Sequence, residues 1–365
     1  MTTQPRLTVR AIRATAVEVP MKRVLGTSRA SLRAAPIVLV DVETEEGITG
    51  HAWLFCYVPA AAGAVVGLLA EVERVVKGER VAPVDLWATL SKRFTLIGVQ
   101  GIVRMAMAGF DVACWDALAI AAGQPLATLL GGAPRTIRAY NSNGLGLMPL
   151  DKLAKEAEEL LEGGFKAVKL RLGYAELEED IAAVRAVRAR LPAGIELMVD
   201  YNQALSLADA LARGRALDDE GVYWIEEPVR HDDYAAAATL VRELRTPIQI
   251  GENFSQPHAM ETALAARACD YVMPDLERIG GVTGWQRAAA LAQAHGVEMS
   301  SHLFPEVSAH LLAVTPTAHW LEYVDWAAPI LEEPLVVADG AVQVPDRPGN
   351  GLRWNQGAVA HYGMK

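Results

Sequence analysis

Cysteine is scarce in this chain, whose 365 residues contain only Cys56, Cys114 and Cys269. An odd and scattered set does not form a disulfide framework, and no two of the three have the spacing of metal ligands. We therefore expect three buried structural thiols, because a free cysteine packs like a small apolar residue.

Excess positive charge and long apolar runs are also lacking. The net charge is −10 and the isoelectric point is near 5.4, so the chain offers no basic surface to nucleic acid or to an anionic membrane. The apolar run AAAGAVVGLLA stops at Glu71, too short for a bilayer, and the first residues, MTTQPRLTVR, lack the order of a signal peptide. The sequence thus predicts neither a nucleic-acid nor a membrane partner, and it favours a cytoplasmic location.

The chain does have ample apolar material, since 52% of its residues are hydrophobic. At this length it can bury a full core and form two domains. From Arg6 to about Leu54, stretches rich in Val, Ile and Thr flank the charged turn ETEEG and predict antiparallel strands. From about Val58 to Ile120 the pattern is helical, so we expect an α+β domain over residues 1–130.

After Pro134, short apolar strands alternate with amphipathic helices. Eight predicted strands fit a β/α barrel over residues 131–330, and a doubly wound sheet is the alternative, disfavoured because no Gly-rich phosphate loop opens the first unit. Such barrels typically use ~250 residues. The repeat is shorter here, so we expect residues 331–365 to replace the last helix and return to the first domain. The predicted strands are TIRAYNS, AVKLRL, IELMVD, VYWIEEP, PIQIGE, YVMPD, VEMSSH and HWLEYVD.

Acidic residues recur at the ends of three of these strands. Asp200, Glu226 and Glu252 are separated by 26 residues each, which is one βα unit. The three carboxylates should therefore meet at the C-terminal mouth of the barrel, where the active sites of this fold lie. An oxygen-only ligand set favours a hard cation such as Mg²⁺ over Zn²⁺.

The last three strands carry candidate acid–base groups. Asp275 and His302 end neighbouring strands, and an aspartate on one imidazole nitrogen raises the basicity of the other. Glu322 lies on the final strand, where like charges would raise its pKa, so we expect a protonated carboxyl that donates a hydrogen bond to substrate.

The stretch VKLRLG places two cations on one strand. Lys169 and Arg171 project to the same face because side chains alternate along a strand. If that face belongs to the site, one of the two is a candidate base.

Together these residues resemble the mandelate racemase group of the enolase superfamily, the mandelate racemase/muconate lactonizing enzyme family, over nearly the whole chain. The resemblance implies a modified (β/α)7β TIM-type barrel beneath an N-terminal α+β capping domain. The segments that carry it are VKLR, MVDYNQ, WIEEP, IGEN, MPDLERIGGVTGW and SSHLFPEVSAHLLAVTPTAHWLE, with GITGHAWLF and GFDVACWDALA in the cap.

The resemblance also implies the roles of the site residues. It assigns Mg²⁺ to Asp200, Glu226 and Glu252, and it makes Asp275 and His302 the base dyad. Superfamily sites use a Lys or His base with Mg²⁺ stabilising an ene-diolate. Lys169 would neutralise the substrate carboxylate, Glu322 would stabilise the enediolate, and Ser142 and Asn202 match positions that contact substrate.

Arg171 departs from the racemases, which carry a second lysine there as the base facing the histidine. Because Arg has a pKa of ~13 against ~10.4 for Lys, deprotonation at pH 7 costs about 3.5 kcal/mol more. Arg171 is therefore expected to position substrate, which weakens two-face racemisation.

A loop expected over the pocket, MKRVLGTSRASLR, is a second departure because it supplies Lys22, Arg23 and Arg29. If Arg29 points inward, the substrate carries polar or anionic groups. Tyr57 is expected on the neighbouring loop, also against substrate.

The sequence thus predicts a Mg²⁺-dependent enzyme that abstracts the α-proton of a 2-hydroxy carboxylate, giving a metal-stabilised enediolate. We expect dehydration of a polar or acid-sugar-like substrate, since one base suffices for it. A racemase or epimerase of a 2-hydroxy acid is the alternative. A non-catalytic carboxylate-binding barrel is the alternative of another class. The resemblance also implies a homo-oligomer.

Overall fold

The computed structural model describes residues 6–364. It begins with an antiparallel sheet of three strands in the order β1–β2–β3, covered by three helices. Helix α3 lies close against the sheet at Gly50, where an added Cβ would come within 1.9 Å of the carbonyl oxygen of Ala113. The elements of this capping domain are β1 (Val9–Gly26), β2 (Ser31–Thr44), β3 (Thr49–Phe55), α1 (Pro59–Val76), α2 (Pro83–Arg93) and α3 (Ile102–Ala121).

Eight parallel strands then form the barrel, β4 to β11 in chain order. Strand β11 pairs with β4, and the Ser301 N–H donates to the Trp320 carbonyl oxygen at 3.0 Å, which joins the β10 end to the β11 end. The strands are β4 (Thr136–Asn141), β5 (Ala167–Arg171), β6 (Glu196–Asp200), β7 (Ile225–Glu226), β8 (Ile248–Ile250), β9 (Tyr271–Val272), β10 (Glu298–Met299) and β11 (Leu321–Tyr323). The helices are α4 (Leu126–Leu129), α5 (Leu150–Glu159), α6 (Leu177–Arg188), α7 (Leu207–Leu217), α8 (Tyr234–Glu243), α9 (Pro257–Ala265), α10 (Leu276–Ile279), α11 (Gly281–His295) and α12 (Pro305–Ala313).

The capped barrel predicted from the sequence is confirmed, with a strand inside each of the eight predicted segments, and the doubly wound alternative is excluded. One prediction was wrong. The segment 21–33, expected as a loop, is the outer part of a hairpin, because β1 runs to Gly26 and β2 begins at Ser31. It lacks the alternation of a strand because this end of the hairpin projects from the sheet over the barrel mouth.

The C-terminal segment contacts both domains. It follows a 3-10 helix (Ala328–Ile330) and contains the short hairpin β12 (Val337–Ala338) and β13 (Ala341–Gln343), and helix α13 (Gln356–Tyr362). Strand β13 pairs with β4 of the barrel, and the Met364 N–H donates to the Ala16 carbonyl oxygen of the cap at 2.9 Å. The hairpin was missed, although the turn pair Asp339–Gly340 was a usable signal for it.

Two apolar cores hold the fold. The larger one joins the cap sheet to α3 and continues between the barrel strands and their outer helices. A smaller one fills the barrel interior with Tyr140, Ala167, Met198, Trp224 and Trp320, so the barrel is packed beneath its mouth. The three cysteines are free and buried. Within residues 6–364, no helix is both long and apolar enough to cross a membrane.

Candidate active site

A cavity of about 230 Å³ lies between the cap and the C-terminal mouth of the barrel. Barrel residues supply its charged floor, and the cap hairpin and the end of β3 supply its cover. The predicted site residues that line it are Arg29, Tyr57, Lys169, Arg171, Asp200, Asn202, Glu252, His302 and Glu322.

Three carboxylates converge at this floor as the spacing predicted. Asp200 and Glu226 end adjacent strands, Glu252 follows the next strand, and one oxygen from each lies within 4.8 Å of the others. Each carboxylate also accepts a hydrogen bond from a neutral donor, so its orientation is fixed without a metal. The donors are the Asn202 amide to Asp200 (2.9 Å), the Trp224 indole to Glu226 (3.2 Å) and the Asn253 amide to Glu252 (3.1 Å). A compact set of pre-oriented oxygens fits a hard divalent cation such as Mg²⁺.

Lys169 lies beneath these acids and is fully buried. Its Nζ is 2.7 Å from Glu226 Oε1, 2.8 Å from Glu322 Oε1 and 3.5 Å from Asp200 Oδ2. Burial alone would lower the pKa of Lys169, but Glu226 and Glu322 hold it well above its usual value. Burial and the neighbouring carboxylates raise the pKa of Glu226 to about 8. The floor is therefore short of positive charge, which a divalent cation would supply.

We predict that Trp224→Phe weakens Mg²⁺ binding about tenfold, because losing a donor to a metal-binding carboxylate typically costs ~10–100-fold in affinity. Calorimetric titration with Mg²⁺ measures this. Trp285→Phe is the matched control, since the Trp285 indole is also buried but donates to Thr315 Oγ1 at 3.0 Å, away from the cavity. Equal Mg²⁺ affinities in the two variants would contradict the role given to Trp224.

Asp275 and His302 form the predicted pair. His302 Nδ1 lies 2.6 Å from Asp275 Oδ2, which leaves Nε2 facing the cavity and 3.2 Å from Glu252 Oε2. Burial alone would lower the pKa of His302, but Glu252, Glu322 and the hydrogen bond to Asp275 raise it well above its usual value. A cation bound by Glu252 would cancel part of this effect, leaving an oriented imidazole as a general base.

Glu322 differs from the expectation of a protonated carboxyl. Although burial raises its pKa, the charges of Lys169 and His302 lower it to about 2. Its Oε2 accepts the Leu303 N–H at 2.9 Å and its Oε1 pairs with Lys169 at 2.8 Å, so the orientation of the carboxyl group is fixed. The nearby acids were evident from the sequence, whereas the 2.8 Å contact between Lys169 and Glu322 was not.

Arg171 is tied to the backbone. Its Nη1 donates to the carbonyl oxygens of Ser142 (3.2 Å) and Gly144 (2.8 Å), and its Nη2 donates to Ser142 Oγ (3.3 Å). Its Nε is buried without a hydrogen-bond partner. Ser142 lies behind Arg171 and does not line the cavity. The guanidinium is thus held as a fixed cation with two uncommitted N–H groups, that of Nε and one of Nη2.

The capping domain covers the cavity but supplies little of its charge. Arg29 borders the cavity, but its guanidinium donates to the carbonyl oxygens of Asn202 (3.3 Å) and Gln203, so it closes the hairpin onto the barrel. Lys22 pairs with Asp325 at 2.9 Å, and Arg23 pairs with acids of α5, so neither lines the cavity. Arg29 therefore borders the cavity with its guanidinium committed to the barrel backbone, and its contact with substrate stays a prediction.

Several residues around the cavity adopt the left-handed backbone conformation, which is unfavourable for side chains other than glycine. They follow the functional strand ends directly. They are Asn202 (φ 46°) and Gln203 (φ 63°) after Asp200, Glu227 (φ 37°) after Glu226, and Leu303 and Phe304 (both φ 51°) after His302. Such residues are enriched at functional sites.

Four residues of this region were missed from the sequence. Arg278 Nη1 donates to the Glu252 carbonyl oxygen and to Asn253 Oδ1, each at 3.0 Å, and its guanidinium lies 5.0 Å from the Tyr57 ring centroid. Trp326 lines the cavity beside Phe55, and Glu277 is a buried acid near it. The only signal was that 277 and 278 closely follow Asp275.

A capped β/α barrel with a carboxylate triad, a buried lysine and an Asp–His pair at its mouth defines a metal-assisted acid–base site for small anions. The chain matches the models of the mandelate racemase / muconate lactonizing enzyme N-terminal domain over residues 10–131 and of the enolase C-terminal domain-like family over residues 152–358. It belongs to the mandelate racemase/muconate lactonizing enzyme family of the enolase superfamily.

Individual relatives span nearly the whole chain. It is 32% identical over 351 residues to the L-talarate/galactarate dehydratase of Salmonella typhimurium strain LT2, covering 92% of this chain and 86% of that protein. A Bradyrhizobium enolase solved with magnesium and mandelic acid is 42% identical, with a TM-score of 0.95 and full coverage of both chains. An enolase from alpha proteobacterium bal199 with bound magnesium is 46% identical, with a TM-score of 0.96, covering 98% of this chain and all of the other.

Proposed function

We propose that the protein is a Mg²⁺-dependent enzyme that removes the α-proton of a 2-hydroxy carboxylate and dehydrates a polar or acid-sugar-like substrate. Asp200, Glu226 and Glu252 hold the cation. When bound, Mg²⁺ supplies positive charge for the substrate carboxylate as it gains electron density. Support comes from the converging oxygens and from relatives crystallised with magnesium.

The remaining residues have two tasks, which are to transfer the proton and to balance the charge of the substrate. His302 Nε2 takes the α-proton, and Asp275 holds the imidazole through Nδ1. Lys169 is the permanent cation that faces the substrate carboxylate. Glu322 positions Lys169, with which it forms a 2.8 Å ion pair. Asn202 contacts the substrate from the rim, as the resemblance implied, and Tyr57 contacts it from the cover. Ser142 acts through Arg171, and Arg29 acts by closing the cover onto the barrel.

The observation that carries dehydration over racemisation is the anchoring of Arg171. Racemisation needs a second base on the face opposite His302, and a guanidinium held by two backbone carbonyls is a poor one. Dehydration needs one base, because His302 can take the α-proton and return it to a departing β-hydroxyl. The dehydratase relative supports this outcome.

The test uses both C2 epimers of 2,3-dihydroxy acids, whose β-hydroxyl can leave as water, in D₂O with Mg²⁺. We expect only one epimer of an accepted acid to be consumed, with a 2-keto acid as product, measured by NMR. Interconversion of both epimers without keto acid, blocked from one side only by Arg171→Ala, would make Arg171 a working base. No exchange across a broad library of acids by the metal-loaded protein would favour the non-catalytic carboxylate-binding barrel.

Racemisation is the second candidate because the Bradyrhizobium relative binds mandelic acid. The cavity also has an apolar wall that suits an aromatic substituent, formed by Leu25, Leu32, Phe55, Leu303 and Trp326.

Three further expectations stay predictions. They are the domain division at residues 130 and 330, a cytoplasmic location, and a homo-oligomer. The adjacent side chains of Leu96 and Ile97, 99% and 67% exposed, are candidate subunit contacts.

A further inference from the structure

Glu277 is a buried carboxyl that the proposed chemistry does not use. It is 1% exposed and lies in α10, the one-turn helix that Asp275 caps by accepting the N–H groups of Glu277 (2.9 Å) and Arg278 (3.0 Å). The other oxygen of Asp275 holds His302. A single short turn therefore connects the Asp–His pair to the Glu277 side chain.

The partner of Glu277 belongs to the cap. Its Oε2 accepts the N–H of Phe55 at 3.2 Å. Phe55 ends β3, an edge strand, so this N–H has no strand partner and would be costly to bury alone. The Phe55 ring lies 4.3 Å from that of Tyr57 and 4.9 Å from that of Trp326, and all three rings line the cavity.

The Glu277 carboxyl has few other polar contacts. Glu277 Oε1 is buried without a hydrogen-bond partner, and burial together with Asp275 raises the pKa of Glu277 well above its usual value. A buried, half-satisfied carboxyl is an expensive way to fill space, because an apolar side chain would avoid the desolvation cost. Its one directional contact is the hydrogen bond to Phe55.

We propose that Glu277 is a positioning residue that fixes the aromatic wall of the substrate cavity by holding the Phe55 amide to the turn carrying Asp275. The wall and the catalytic histidine are thereby set by the same turn. This inference rests on the proposed function only in taking the cavity as the place where a 2-hydroxy acid binds. A substrate whose side chain reaches the wall depends on Glu277, and one without a side chain does not.

The experiment compares the binding of (R)-mandelate and glycolate to the Mg²⁺-loaded full-length protein by calorimetry. Glu277→Leu removes the acceptor, and we expect it to weaken mandelate binding about tenfold, the order of one lost hydrogen bond, while glycolate binding is unchanged. Glu277→Gln keeps an acceptor oxygen and should bind both like the wild type. Hydrogen–deuterium exchange of the peptide containing Phe55 should quicken only in Glu277→Leu.

Glu306→Leu is the matched control. Glu306 is also buried and also ties β3 to the barrel, accepting the Trp53 indole N–H at 3.2 Å, but Trp53 does not line the cavity, whereas Phe55 does. This variant should lose stability without changing the mandelate-to-glycolate ratio. The proposal is overturned if both leucine variants change that ratio equally, or if Glu277→Leu leaves the ratio or the Phe55 exchange unchanged. Absence of substrate α-proton exchange in the wild type would refute the proposed function and would leave the positioning role of Glu277 unaffected. If mandelate does not bind, the hydrogen–deuterium exchange rate of the peptide containing Phe55 decides whether Glu277 is a positioning residue.

Discussion

Replacing Glu226 with Gln is expected to abolish Mg²⁺ binding and α-proton exchange while leaving the fold intact. Glu226 lies on the middle strand of the triad and is the acid closest to Lys169, at 2.7 Å. The amide removes one of three negative charges facing the cation. We expect affinity to fall at least about a hundredfold, beyond the usual effect of changing an outer hydrogen bond. Mg²⁺ titration by calorimetry measures it.

The control for this variant is Glu196→Gln. Glu196 begins β6 at the end opposite Asp200, so it shares the strand architecture but not the site. It should bind Mg²⁺ like the wild type, and circular dichroism should show both variants folded. Full metal occupancy in Glu226→Gln would refute the ligand assignment.

Replacing His302 with Asn should remove α-proton exchange by at least about a thousandfold, within the range that general acid–base groups contribute. Among the described residues that line the cavity, neither Lys169 nor Arg171 is an equivalent base, because Glu226 and Glu322 hold the pKa of Lys169 well above its usual value and Arg171 is anchored. Mg²⁺ binding should persist, since all three carboxylates remain. Loss of the α-proton signal in D₂O, followed by NMR, gives the rate.

His310→Asn separates loss of the base from loss of a buried imidazole. His310 is fully buried in α12 and accepts the Ala127 N–H at 3.2 Å, away from the cavity. This variant should be less stable but active. If His302→Asn still exchanges the α-proton of one substrate enantiomer, a second base works in the site.

The residues that were predictable from the sequence are those whose position follows from the repeat. Asp200, Glu226 and Glu252 are one βα unit apart, so their meeting required only that the strands be recognised. Asp275 and His302 followed from the same rule, and the backbone bridge between them places their side chains together.

The parts that failed depend on contacts between domains. Glu277 has the sequence context of a solvent-facing helical turn, but the cap covers it. The periodic pattern of the barrel segments does not predict which of their residues the cap covers. The ionisation of Glu322 depends on a distance to Lys169 that strand order alone does not give. The strands within segment 21–33 could not be predicted, because its residues are at most partly buried where the hairpin covers the mouth and therefore carry no alternating pattern.

The left-handed residues that follow the functional strand ends restrict how this protein can evolve. Each strained residue costs on the order of 1–3 kcal/mol, which the surrounding packing must offset. A β-branched side chain at 202, 203, 303 or 304 would add to that cost, so these positions should be nearly closed to variation. The hairpin tip over residues 27–30 is half-buried to exposed and contains no left-handed residue. New substrate ranges should therefore arise through changes in the cover, while the mouth of the barrel is inherited unchanged.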